Sequence, residues 1–334
     1  MTARGVRLRT PDGHRAPKRR DGFALMAALW LVVIVGVAGY ELSVRSRTDR
    51  LAIANSLERV AAEGAAEAGL ETARAMLDEA LTRPLTARIG ALSNAALDPW
   101  SVIDWQRTDT LRMGEERAVV NGYDAGARVQ LNRANEGQLC RLLAALPLDA
   151  SVADRMAQRI MDWRDADDSR RGRGAERADY LRTGARTLPA NAEFGRIDEL
   201  RDVDGMTPEL YARLGQYLTV YGTGQVNVNA ASATVLHSLP GLGDEAVAVL
   251  VRSQRSGRPI RSLEELTQQL SRGAASAIAD AGMELTQRMT FETREMVVTA
   301  DGWLDGSPVR AHGEALYART GEALFTVWRR MSEP

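Results

Sequence analysis

The chain has 334 residues, 45 % of them hydrophobic and 26 % charged, with one Cys and three His. That composition excludes wholesale disorder, an internal disulfide and a cysteine–histidine zinc cage. The net charge of −1 hides an asymmetry: residues 1–22 carry a surplus of five positive charges, so the rest of the chain totals −6, a sign that disfavours nucleic acid as a bulk partner.

Phe23 to Tyr40 is a run of 18 uncharged residues, Phe-Ala-Leu-Met-Ala-Ala-Leu-Trp-Leu-Val-Val-Ile-Val-Gly-Val-Ala-Gly-Tyr. As a helix it is about 27 Å long, enough to cross a bilayer core. Basic residues precede it and Glu41 follows, so the basic side stays cytoplasmic and the body crosses to the other face of the membrane. A cleaved secretory signal is the competing reading, with Val37-Ala38-Gly39 as small residues near a cut. An uncut single-span anchor is another. Against a signal, Glu41 to Leu81 contains no Pro and is rich in Ala, Glu, Leu and Arg, which continues the helix. Leu57, Val60, Ala61, Gly64, Ala68 and Glu71 follow three-four spacing and predict the face that packs. Pro84 ends the run.

The body reads as strands flanking a helical block. Arg117 to Leu131, with apolar residues bracketing Asn121, Gly122 and Gly126, predicts two short strands and a turn. Near the C-terminus, Met289 to Ala300, Val309 to Arg319 and Leu324 to Arg330 predict three more, with Asp301-Gly302 as a turn. Strands on either side of some 150 helical residues predict an α+β unit with an inserted helical domain, its small antiparallel sheet packed on the long N-terminal helix. The insertion holds a duplication: Val129, Asn132, Ala134, Leu139 and Leu142 match Val226, Asn229, Ala231, Leu236 and Leu239 at a constant offset of 97. Asn132 and Asn229 fall where a strand gives way to a helix, a place for an N-cap or Asx turn. Leu236 to Leu250 resembles a helix-hairpin-helix, whose Gly-x-Gly turn presents backbone N–H groups to a DNA phosphate. Asp244 and Glu245 stand at that helix start and repel an anion, so a protein-binding scaffold is the preferred reading. A membrane-tethered DNA-uptake protein is the alternative.

Arg19-Arg20-Asp21-Gly22-Phe23-Ala24-Leu25 ahead of an apolar stretch resembles the cleavage and methylation site of type IV pilin-like proteins. That resemblance implies a prepilin peptidase cutting after Gly22, with Phe23 the methylated first residue of the mature chain. Most members of the family carry Glu as the fifth mature residue, where it pairs with a neighbour's ammonium in lipid; here the fifth is Ala27. A buried carboxylate is costly unless paired, so its absence points to a subunit at the tip.

The wider chain resembles the K-type minor pseudopilins of type II secretion through Val129–Leu146, Ile160–Tyr180, Phe194–Tyr221 and Gln225–Leu242. Especially characteristic are Trp163-Arg-Asp165-Ala-Asp167-Asp168, Gly174-Ala-Glu176 with Asp179-Tyr180, and Asp198 to Thr207. The implied organisation is a leader over 1–22 and a pilin helix over 23–83, with 23–40 in the membrane. A split pilin-like α/β domain over 84–131 and 286–334 follows, holding a helical insertion of helix-hairpin-helix or SAM-like repeats over 132–285. The implied partners are the I-type and J-type minor pseudopilins, other pseudopilins and the prepilin peptidase. The implied role is to start pseudopilus assembly for export across the outer membrane.

Site chemistry is sparse. Asp165, Asp167, Ser169 and Glu176 sit at positions 1, 3, 5 and 12 of a calcium-loop template, but position 6 is Arg170 instead of Gly. The loop is no EF-hand, yet Asp165, Asp167, Asp168, Glu176 and Asp179 concentrate the oxygens a hard cation needs. Arg170, Arg171 and Arg173 offer the other way to neutralise them. The family resemblance implies calcium. His237 and Ser238 are adjacent on a helix and point apart, and Cys140 reads as a small core residue. The expectation is a protein that is not an enzyme.

Overall fold

The computed structural model describes residues 21–82, 98–101, 103, 105 and 110–332. The expected leader, up to residue 20, and the helix stop at Pro84 lie outside them. The chain forms two units, Met1–Leu57 and Glu58–Pro334.

Helix α1 runs from Asp21 to Thr82 as one α-helix. Its Ala, Leu, Glu and Arg content and its lack of Pro account for the length. In the first unit the apolar side chains from Phe23 to Val44 are all exposed, and the segment from Phe23 is apolar and long enough to cross a membrane. Such a helix fits a single-pass anchor.

In the second unit the last part of α1 packs on a five-stranded antiparallel sheet. The strands are β1 (Leu111–Met113), β2 (Glu116–Asp124), β7 (Glu295–Leu304), β8 (Arg310–Thr320) and β9 (Ala323–Ser332), in the order β1-β2-β7-β8-β9. Period-two alternation divides β7: Met296, Val298 and Ala300 join Leu70, Ala73 and Leu77 of α1, while Val297 faces the other way with Leu316 and Ala125. Tyr317 donates its hydroxyl to the Leu70 carbonyl at 3.0 Å, and Trp100 donates its indole N–H to the Leu77 carbonyl at 3.1 Å. Two aromatic side chains thereby enter the core with their polar ends satisfied.

The buried face of α1 differs from the expected one. Leu57 and Val60 are about two-thirds exposed, at 65 % and 66 %, whereas Ala62, Ala66, Leu70, Ala73 and Leu77 are fully buried. One residue along a helix is a rotation of about 100°, and an alanine-rich segment offers three-four spacing on more than one face. Small residues won because they let the helix backbone reach the sheet: the Cβ that Gly69 lacks would lie 3.0 Å from the Ala300 Cβ.

Of the expected turn residues, Gly126 does lie in the turn that separates β2 from the next strand, whereas the other two pairs are corrected. Asn121-Gly122 lies inside β2, and Asp301-Gly302 inside β7, paired with Val119 and Ala118. Their glycines serve close approach. A Cβ on Gly122 would meet the Trp105 ring at 2.5 Å, and one on Gly302 would overlap the Ala62 carbonyl and Ala66 amide of α1. The real β7–β8 turn holds Gly306 at φ +79°. Gly302→Ala is expected to cost about 3 kcal/mol, a fall of roughly 6–10 °C in Tm. Gly64→Ala, at an exposed helical glycine with open space around it, leaves Tm unchanged or slightly higher. Thermal melts of the two variants check both signs.

Between β2 and β7 lie eight α-helices, three short 3-10 turns and four two-residue strands among the described residues. The first group is β3 (Val129–Gln130), α2 (Glu136–Ala144), α3 (Ala150–Arg164), α4 (Arg177–Thr183), α5 (Pro208–Leu214) and β4 (Leu218–Thr219). The second is β5 (Val226–Asn227), α6 (Ala233–Leu236), α7 (Asp244–Arg255), α8 (Leu263–Thr267), α9 (Arg272–Arg288, broken at Gly282) and β6 (Met289–Thr290). Strand β3 pairs in parallel with β4, and β5 with β6. The duplication is visible in the hydrogen bonds: Asn132 donates to the Phe194 carbonyl, and Asn229 to the Phe291 carbonyl, each 62 residues downstream. Neither Asn is a helix cap. Asn135 and Ser232 cap α2 and α6, and Asn132 and Asn229 instead stitch each repeat to its own return segment. Arg141 donates to the carbonyl of Ser238, its counterpart 97 residues on.

Candidate functional site

The acidic segment begins where α3 ends. Asp165 is extended at φ −77°, ψ 163°, and stops the helix. The chain then loops to Glu176, after which α4 starts. Asp179 accepts from the Glu176 backbone N–H at 3.1 Å and is flanked by Arg170 at 3.5 Å and Arg182 at 2.5 Å. Those donors hold its carboxyl below the usual range, so Asp179 is committed to capping α4.

The other four expected residues converge electrostatically. Burial, followed by the charges of Asp162, Asp165, Asp168 and Asp167, pushes the Glu176 carboxyl up to about 7. Glu176 is only 3 % exposed, yet neither of its carboxylate oxygens has a hydrogen-bond partner, and neither has Asp165 Oδ1. Asp167 accepts from the Ser169 N–H at 2.7 Å, and Asp168 from the Asn191 side-chain amide at 3.1 Å.

Two residues that sequence reasoning missed complete the site. Asp162, on α3, is fully buried and accepts from Arg171, whose Nη1 lies 2.6 Å from it and 2.5 Å from Asp165. Burial still raises the Asp162 carboxyl despite that partner. Its position three residues before Asp165, one helical turn away, was the available signal. Asn191 has φ +46°, and its buried Oδ1 has no partner; nothing in its sequence neighbourhood marks it.

The orphaned atoms of this loop are thus all oxygens: Asp165 Oδ1, both Glu176 oxygens and Asn191 Oδ1. Buried acceptors left unpaired are costly, and Arg171 neutralises only part of the negative charge. A hard cation that takes carboxylate and amide oxygens fits this donor set.

A second cluster, Glu136, Cys140 and Asp154, has ligand atoms within 4.8 Å of one another. Arg171 stands 3.7 Å from Glu136 and Arg173 stands 3.2 Å from Asp154. Burial raises the Cys140 thiol, so it stays protonated and is a poor ligand.

The remaining expected features fall in place separately. Ser238 donates to the Val235 carbonyl at 2.6 Å, and His237 Nε2 lies 3.7 Å from Asp244, so the two make no nucleophile–base pair. His312, on β8, contacts Asp301 at 2.7 Å. The turn of the second-repeat hairpin is covered: a Cβ on Gly241 would lie 2.6 Å from the Ala277 carbonyl of α9. Asp244 and Glu245 are exposed at the start of α7, where a phosphate would have to sit. Gly22, Phe23 and Ala27 all lie on α1, and Phe23 and Ala27 are exposed there.

The chain is similar to known proteins. The family model "Type II secretion system (T2SS), protein K" matches residues 117–223. Type II secretion system protein K of Pseudomonas aeruginosa is 26 % identical over 75 % of this chain and 77 % of its own length. The putative type II secretion system protein K of Escherichia coli K12 is 34 % identical over 26 % of this chain and 27 % of its own. In fold, the chain is similar to a chain of the GspK-GspI-GspJ complex from enterotoxigenic Escherichia coli. The TM-score is 0.56 at 18 % identity, covering 80 % of this chain and 97 % of that one. With a long apolar N-terminal helix, an antiparallel sheet and a duplicated helical segment between its strands, the chain is thus similar in sequence and in fold to type II secretion system protein K.

Proposed function

We propose that this chain caps the type II secretion pseudopilus, is cut after Gly22 and methylated on Phe23, and acts structurally instead of catalytically. Its body then lies in the periplasm, with the basic N-terminal residues on the cytoplasmic side of the inner membrane. The observation that carries this reading is Ala27. A subunit with a neighbour above it needs a carboxylate to meet that neighbour's ammonium in lipid, whereas one with nothing above it gains only the cost of a buried charge. The face of α1 bearing Leu57, Val60 and Gly64 is exposed among the described residues and suits packing against other pseudopilin helices.

The I-type and J-type minor pseudopilins are the proposed partners, in keeping with the complex that the similar GspK chain forms. Co-expression of the full chain with the I-type and J-type subunits from the same genome is expected to yield one complex that survives size exclusion in detergent. A chain that elutes alone from both subunits overturns the reading. We further propose that calcium is held by Asp165 and Glu176 with Asn191, and that Asp162, Asp167 and Asp168 supply the surrounding negative charge. Bound there, the ion would neutralise the loop and tie α3 to α4; its role is structural.

A further inference from the structure

Arg252, Arg255, Arg258 and Arg261 fall within ten residues at the end of α7 and in the segment that follows. All four are exposed, and no guanidinium among them has a carboxylate within 4.0 Å among the described residues, although the Glu265 carboxylate accepts from the Arg261 backbone N–H at 2.8 Å. Elsewhere in the second unit many arginines are tied to acids, as Arg171 is to Asp162 and Asp165, Arg319 to Asp98, and Arg329 to Glu67 and Glu71. Beyond residue 22 the chain is net negative, so four neighbouring unpaired cations stand against the overall sign.

Arg252 and Arg255 lie in the last turn of α7, where a positive charge complements the helix dipole. That local role does not extend to Arg258 and Arg261, which lie past the helix. Their backbone is nonetheless fixed. The Ser253 hydroxyl donates to the Arg258 carbonyl, and the Arg258 N–H returns to the Ser253 carbonyl at 3.1 Å. Ile260 is 2 % exposed and is held from both sides by Asn229, which accepts its N–H at 3.0 Å and donates to its carbonyl at 2.7 Å. The main chain is therefore pinned while the guanidinium heads stay free. Presentation of charge from a fixed backbone lowers the ordering cost of binding.

We infer that this arginine patch is a docking surface for the acidic face of a partner polypeptide, through carboxylate–guanidinium pairs. Charge complementarity argues for the sign of the partner. Duplex DNA is disfavoured because the hairpin end that would take a phosphate lies at the opposite end of α7. It is packed on Ala277 and fronted by Asp244 and Glu245. Helix α7 has 12 residues, which separates its two ends by about 18 Å.

The test uses the full-length chain in detergent and immobilised poly-L-glutamate as the probe, in a salt series. The wild type is expected to be retained at low salt and released as ionic strength rises. Arg258→Glu with Arg261→Glu is expected to weaken retention about tenfold, and reversal of all four to weaken it further. The double variant leaves the helix end untouched, so an unchanged Tm separates lost docking from lost folding. Retention that is equal for wild type and both variants overturns the proposal. So does tighter retention on a duplex DNA column that the same substitutions abolish.

Discussion

Chelation of calcium lowers the Tm of the purified full-length chain, and Glu176→Gln abolishes that response. Both expectations rest on the oxygens of Glu176, which are buried and unpartnered among four other carboxylates. In chelator the wild type keeps that repulsion, and a cation removes it. A ligand that binds only the folded state stabilises it by about 2.7 kcal/mol at a hundredfold excess over Kd, so calcium at that excess raises Tm by roughly 5–10 °C. Gln is nearly isosteric, carries no charge and brings an N–H donor to the neighbouring acceptors. The variant is therefore expected to melt in chelator at or above the wild-type temperature, and to show no shift when calcium is added. A simple cavity or packing defect would lower Tm in both conditions. Equal melting of the wild type with and without chelator contradicts the cation assignment and leaves the neighbouring arginines, Arg171 among them, to neutralise the loop.

Asp124→Ala is expected to loosen the root of the helical segment. Asp124 ends β2, where the chain leaves the sheet. One of its oxygens accepts from the Gly126 N–H at 2.7 Å, and the other accepts from Asn227 at 2.7 Å and Thr293 at 2.9 Å. Asn227 belongs to β5, and Thr293 precedes β7, where the chain returns to the sheet. A single buried carboxylate thus joins the exit, the middle and the return of the segment. Removing it strands three donors, at an expected cost of about 3–5 kcal/mol and roughly 10 °C in Tm.

Burial pushes the Asp124 carboxyl up to about 6, with Asp98 adding to the rise and the three donors opposing it. A carboxyl whose folded value is raised favours the protonated fold. Its penalty is absent below the unfolded value of 3.8 and present in full above about 6. The stability of the wild type relative to Asp124→Asn is therefore expected to improve by about 2 kcal/mol as pH falls from 7 to 4. Urea unfolding of the pair at both pH values measures this, and a gap that stays constant with pH contradicts the assignment.

What the sequence disclosed follows from the range of each interaction. The length of α1 was legible because composition alone sets it, and the repeat was legible because Val129, Asn132, Ala134, Leu139 and Leu142 have counterparts 97 residues on, in keeping with the matching bonds of Asn132 and Asn229 to Phe194 and Phe291. The face of α1 was not. An alanine-rich helix encodes which side packs through the shape of its partner, here Gly302 and Ala300, which lie more than 200 residues away. Asn121-Gly122 and Asp301-Gly302 looked like turns because Gly after Asn or Asp usually is one. In both pairs the missing Cβ instead makes room for Trp105 or for α1.

Within the acidic loop the carboxylates were visible as a cluster. Their division of labour was not, since Asp179 serves a helix start, Asp162 enters from α3, and Asn191 comes from a later turn. The Asp124–Asn227–Thr293 clasp was hidden for the same reason: its members are 103 and 66 residues apart.

The central claim, that this is a pseudopilin matured for extraction from the membrane, meets its most direct test at the N-terminus. Intact-mass and N-terminal peptide analysis of the chain, purified from cells with an active type II secretion system, is predicted to find a polypeptide starting at methylated Phe23. A chain that still begins at Met1, or one cut near Gly39 on the far side of the apolar stretch, would contradict it.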